Sequence, residues 1–96
     1  MELVSAKKLE DFMKRVNQSR TVLRTWKQLV EGCNWKSFHD LRNSCPQADQ
    51  AGRFVVFDVR GDKYRVIAEP DYQNSRITIR HVFDHAEYDD WCKKNR

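Results

Sequence analysis

The chain has 96 residues, 18 Lys and Arg against 14 Asp and Glu, and a formal net charge of +4. That length suits one small domain with a single modest core, read as spanning 1–96, and the excess of cations favours polyanionic partners. The longest apolar run, Phe54-Val55-Val56-Phe57, is too short to cross a bilayer. Glu2, Ser5 and Lys7 do not suit a signal peptide, so no membrane association and a cytoplasmic location are expected.

Glu2-Leu3-Val4 reads as a short opening strand, with Ser5 placed to cap a following helix. Leu9, Phe12, Met13 and Val16 fall at i, i+3, i+4 and i+7, one apolar stripe on a helix whose other faces carry Lys7, Lys8, Lys14 and Arg15. Val22, Leu23, Trp26, Leu29 and Val30 repeat that pattern between Arg20 and Glu31, and Gly32 is placed to end the helix in a left-handed conformation. Trp35, Phe38 and Leu41 again have helical spacing, so a short helix or irregular connection is expected before Cys45-Pro46 stops it. Trp35 reads as a core anchor and His39 as an exposed side chain.

Cys33, Cys45 and Cys92 are odd in number and lack a C-x-x-C pair. Even with His39 they match no familiar zinc spacing, so free thiols, a reducing compartment and neither metal nor cofactor are expected.

From Gly52 the hydrophobic period becomes that of strands: Phe54–Val59, Tyr64–Glu69 and Arg76–Phe83, joined by a Gly61-Asp62 turn and a looser connection over 71–75. A two-residue turn sets Val59 against Tyr64, Phe57 against Val66 and Val55 against Ala68 on one apolar face. Extending that face pairs Ala68 with Ile77 and Val66 with Ile79, and leaves His81 beside Tyr64 as a packed core residue. The same register collects Arg60, Lys63, Arg65, Arg76 and Arg80 on the opposite face, with Asp58 opposite Arg65. Cross-strand pairing of Asp58 with Arg65 and of Glu69 with Arg76 is the plainer use of these charges.

Asp84 can cap a last helix and exchange hydrogen bonds with Glu87. His85 then lies in the first turn, three residues before Tyr88, where a helix start favours anions. A cationic sheet face beside a histidine and a tyrosine is a phosphate-handling arrangement.

Gly61-Asp62, Lys63-Tyr64-Arg65-Val66-Ile67 and His85-Ala86-Glu87-Tyr88-Asp89 resemble the HigB toxins of bacterial type II toxin–antitoxin systems, members of the RelE-like superfamily. Trp35, Pro46-Gln47-Ala48-Asp49 and the Ser5-Ala6-Lys7 helix start extend the likeness over nearly the whole chain. The family favours asparagine where this chain has Asp58 and Asp62, and threonine where it has Asp84. The resemblance implies a RelE-like α+β fold, two N-terminal helices packed on an antiparallel sheet with a short C-terminal helix. It also implies a metal-independent, ribosome-dependent mRNA endoribonuclease that inhibits translation and is neutralised by a HigA-type helix-turn-helix antitoxin.

In such enzymes the RNA 2′-hydroxyl attacks the neighbouring phosphate, which requires a base, an acid and fixed cations. Lys63 and Arg65 suit charge stabilisation, with Arg60, Arg76 and Arg80 as RNA-binding cations. His85 suits proton transfer because imidazole titrates near neutrality, and Tyr88 suits donation of a hydrogen bond or proton. Two other classes use the same charges: a non-catalytic RNA- or ribosome-binding module, and a purely protein-binding partner.

Overall fold

The computed structural model describes residues 1–61 and 63–94. Its elements are β1 (Glu2–Val4), α1 (Lys7–Arg15), a 3-10 turn (Asn17–Ser19), α2 (Arg20–Glu31), α3 (Phe38–Ser44), β2 (Asp49–Ala51), β3 (Phe54–Val59), β4 (Tyr64–Asp71), β5 (Arg76–Asp84) and α4 (His85–Lys94). The strands form one sheet in the order β1-β5-β4-β3-β2. The expected α+β, RelE-like class is borne out with two additions. β2 extends the sheet beyond β3, and β1 joins parallel to β5, so the sheet is mixed.

The helical stripes bury what their spacing demands: Leu9, Phe12 and Met13 from α1, and Leu23, Trp26 and Val30 from α2. These side chains meet the inner sheet face of Val55, Phe57, Val59, Tyr64, Val66 and Ala68. Phe57 lies at the centre, with Trp26 edge-on at 5.2 Å and Trp35 stacked at 6.2 Å. Full burial of such a ring contributes about 2–3 kcal/mol. Trp35 is the expected core anchor, and its Nε1 donates to Ser44 Oγ at 3.1 Å, tying the loop before α3 to its end. Ser37 caps α3 by accepting from the Asp40 amide.

Two local expectations are corrected. Ser5 makes no side-chain cap; its backbone has φ +61°, which turns the chain from β1 into α1. Gly32 is right-handed at φ −85°, and its small size matters instead, because a Cβ there would lie 3.3 Å from the Gln28 carbonyl.

The β3–β4 register is as expected, with Val59 against Tyr64, Asp58 against Arg65 and Phe57 against Val66. Arg60 and Gly61 both have positive φ at the turn, while Asp62 of the expected Gly61-Asp62 pair lies outside the described residues. The β4–β5 register departs from expectation. Ala68 meets Ile79, Ile67 meets His81, Val66 meets Val82 and Tyr64 meets Asp84.

Arg80 is the extra residue of a bulge between the Ala68 and Ile67 pairings, and one inserted residue exchanges the faces of everything that follows. His81 therefore leaves the core face for the outer one, and Val82 takes the inward position. The sequence carries a trace of this: the inward apolar positions of β5 step from Ile77 to Ile79, then by three to Val82.

The outer face is not wholly solvated, because α4 packs across it. Val56 and Ile67 point outward yet are buried. The expected exchange at the start of α4 is present, with Glu87 N–H donating to Asp84 Oδ1 at 2.8 Å and Asp84 N–H donating to Glu87 Oε1 at 3.0 Å. Since Asp84 also ends β5, the cap sets where strand becomes helix.

Candidate functional site

Arg65 and Asp58 face each other across β4 and β3 on the outer sheet face, and Arg65 Nη1 forms an ion pair with Asp58 Oδ1. Their side chains are only 13% and 22% exposed, so solvent screens the pair less than one at the surface. Tyr88, one turn into α4, lays its ring 5.0 Å from the guanidinium carbon of Arg65, within cation–π range. The pairing of Tyr64 with Asp84 makes this possible by starting α4 beside the beginning of β4.

Burial, with a hydrogen bond to Cys92, pushes the Tyr88 phenol up to about 12; the Arg65 guanidinium pulls the other way and is outweighed. Tyr88 is thus a protonated phenol over a fixed cation, able to donate and unsuited to act as a base near neutrality.

The other candidate residues occupy three places. Arg60 and Lys63 are exposed on the β3–β4 connection, at the same end of the sheet as Arg65, and Lys63 Nζ lies 5.8 Å from the Tyr64 ring. His85 is exposed in the first turn of α4, where its Nε2 meets Asp89 Oδ2 at 3.3 Å. Arg76 and Arg80 lie elsewhere. Arg76 opens β5, opposite Asp71, with its Nε 3.1 Å from Glu2 Oε1. Arg80 leaves the bulge to meet Glu69 Oε1 at 3.4 Å.

The expected convergence of five cations is therefore corrected: Arg60, Lys63 and Arg65 share one end of the sheet, while Arg76 and Arg80 are separated from it. Glu69 serves Arg53 at 3.2 Å and Arg80 rather than Arg76. Its neighbour across the strands is Thr78, a consequence of the shifted register.

His81, expected in the core, stacks on Phe83 with centroids 5.1 Å apart and touches Trp91 at 5.6 Å. Burial, with Lys8 and Arg80 nearby, holds its imidazole below the ordinary range. Tyr88 stacks on Trp91 in turn, at 6.2 Å. Sequence reasoning missed this aromatic layer and the part Cys92 plays beside Tyr88. The signals were Phe54-Val55-Val56-Phe57, apolar toward both faces as in a strand covered on both sides, and Tyr88 with Trp91 at helical spacing.

A mixed five-stranded sheet with α1 and α2 on one face, and a strand arginine under a helix tyrosine on the other, is a small basic α+β architecture consistent with a RelE-like fold. Residues 19–91 match the HigB toxin family, the RelE-like toxic component of a toxin–antitoxin system, and the chain belongs to that family. It is 25% identical over 92 residues to the mRNA interferase HigB of Escherichia coli O6:H1, covering 93% of this chain and 89% of the relative. It is 28% identical over 92 residues to the mRNA interferase toxin HigB of Escherichia coli K12, covering 93% and 88%. The mRNA interferase HigB of Shigella flexneri matches to the same extent.

Proposed function

We propose that the chain is the toxin of a type II toxin–antitoxin pair and cuts messenger RNA on the translating ribosome without a metal ion. The observation that carries this reading is Arg65, anchored by Asp58 and covered by the protonated Tyr88, beside the exposed cations Arg60 and Lys63. The names of the relatives, mRNA interferases, agree with it.

The substrate brings its own nucleophile. As the ribose 2′-oxygen attacks the adjacent phosphorus, the P–O5′ bond breaks, leaving a 2′,3′-cyclic phosphate and a 5′-hydroxyl. The 2′ proton passes to a base, and the departing oxygen takes one from an acid. Lys63 and Arg65 stabilise charge building on the phosphoryl oxygens. Tyr88, held as the phenol, serves as donor to the leaving oxygen or to a non-bridging one. His85 serves as the proton acceptor, released from Asp89 when RNA binds. Arg60 positions the backbone beside the cut, while Arg76 and Arg80, if they contact RNA, do so farther along the strand or on ribosomal RNA. In this reading the protein works in the cytoplasm among ribosomes, and a HigA-type helix-turn-helix antitoxin silences it.

The test is expression of the wild type, His85→Ala, Tyr88→Phe and Lys63→Ala/Arg65→Ala in a bacterium, with transcript ends mapped with and without active translation. Growth arrest with translation-dependent cuts in the wild type, lost in the variants, is the expected result. Arrested cells with intact transcripts would sink the nuclease reading.

A further inference from the structure

β4 flanks β5 on one side throughout, but on the other side β1 pairs only with Arg76–Thr78. After Val4 the chain turns away at Ser5 into α1, so among the described residues the stretch from Ile79 to Asp84 carries no strand on that side. A shallow groove of about 380 Å³ runs there, walled by Lys8, Asp11, Phe12 and Arg15 of α1 and by Arg80 to Phe83 of β5. Lys8 Nζ donates across it to the Arg80 carbonyl at 2.9 Å, so a main-chain acceptor faces the groove.

Three properties narrow the occupant. An open strand edge presents main-chain groups at strand spacing, which an extended peptide satisfies by lying alongside, and an RNA backbone does not. With Arg80 matched to Glu69, the rim cations open to a newcomer are Lys8 and Arg15, against Asp11 in the groove wall, which favours a segment bearing Asp or Glu. Arg15 is held by Glu87 at 3.2 Å with both side chains well exposed, an attachment weak enough for an incoming carboxylate to replace. Phe83, half-buried on the outer face, supplies an apolar neighbour for alternate side chains, with the buried Phe12 and Val82 beneath the groove.

We propose that this groove takes an extended, acidic segment of a partner protein as an added strand on β5, and that the partner is the antitoxin. The proposal rests on reading the chain as a toxin with a protein antitoxin, and is independent of the cleavage chemistry.

The probe is a short fluorescent peptide alternating valine and glutamate, titrated into the full chain by anisotropy, with amide hydrogen exchange as the second readout. Controls are a valine–lysine peptide and the valine–glutamate peptide N-methylated along one edge. The expected result is binding by the unmodified acidic peptide alone, slower exchange at the amides of Arg80–Asp84, and about tenfold weaker binding in Lys8→Glu/Arg15→Glu. Lys8→Gln/Arg15→Gln, expected to weaken binding less, replaces the reversal variant if that one unfolds. Absence of peptide binding, equal binding of either control, protection confined to other strands, or an unchanged affinity in the variants would overturn the proposal. So would a short RNA that protects the same amides and displaces the peptide, since the groove would then belong to nucleic acid. Transcript cleavage is measured separately: peptide binding without cuts counts against the nuclease reading alone.

Discussion

Tyr88 and Asp58 are the residues through which the candidate site is most directly probed. With the phenol raised from 10.0 to about 12, Tyr88 keeps its proton throughout the neutral range, so in the proposed reaction it would act as a donor. Tyr88→Phe is expected to lower the rate of translation-dependent cleavage about 100-fold or more, with a smaller effect on RNA affinity. The same shift affects stability in alkali. Below pH 10 both folded and unfolded chains carry the neutral phenol. Between about 10 and 12 the unfolded chain ionises first, so stability falls as pH rises, and Tyr88→Phe should flatten that part of a denaturation series.

Asp58 acts through Arg65. Asp58→Asn keeps the shape and removes the countercharge, so the expected outcome is a loss of about 1–2 kcal/mol in chemical denaturation, because the arginine is largely covered. The neighbouring phenol should titrate lower, since Asp58 is one of the groups holding it up. An unchanged Tyr88 titration would show that the two residues do not communicate.

At the scale of elements, α4 differs from the other helices among the described residues. None of its residues is fully buried, and it holds to the sheet through Tyr88, Trp91 and its cap. Asp84→Ala removes the acceptor for the Glu87 amide and is expected to cost about 1 kcal/mol, with faster amide exchange in α4 than in α2 as the diagnostic. The bounds of α2 and β3 and the start of α4 were legible in the sequence because each rests on a local device: an amphipathic stripe, an alternating run, a reciprocal cap. β2 was not, since Asp49, Gln50 and Ala51 are exposed and gain strand geometry only from pairing with β3. The β5 register failed for a related reason. A bulge is decided by what packs on both faces at once, and strand alternation reports only the face that buries the larger apolar set.

For the whole molecule, a net charge of +4 does not locate a site, because Arg53, Arg65, Arg76 and Arg80 are each matched to a carboxylate. The two exposed cations beside Arg65 lie at one end of the sheet, so RNA affinity should fall with salt at a slope of roughly −2 if about three single-strand phosphates are engaged. A slope near zero in a filter-binding series would mean that the basic composition serves something other than RNA. The candidate chemistry was legible as residue types on neighbouring elements. Their grouping was not, because two of the five cations are set apart by the bulge and by the pairing of Arg76 with Glu2, both long-range consequences of topology.

The tilted contact between His81 and Trp91 gives the molecule an optical reporter. Trp26 and Trp35 are closed in the interior, whereas the indole of Trp91 lies 5.6 Å from an imidazole whose titration is displaced below 6.5. Charging that imidazole on acidification should dim the Trp91 emission, and His81→Gln should abolish the change. A steady-state fluorescence titration would then reveal when the last helix leaves its seat, whether RNA, peptide or acid lifts it.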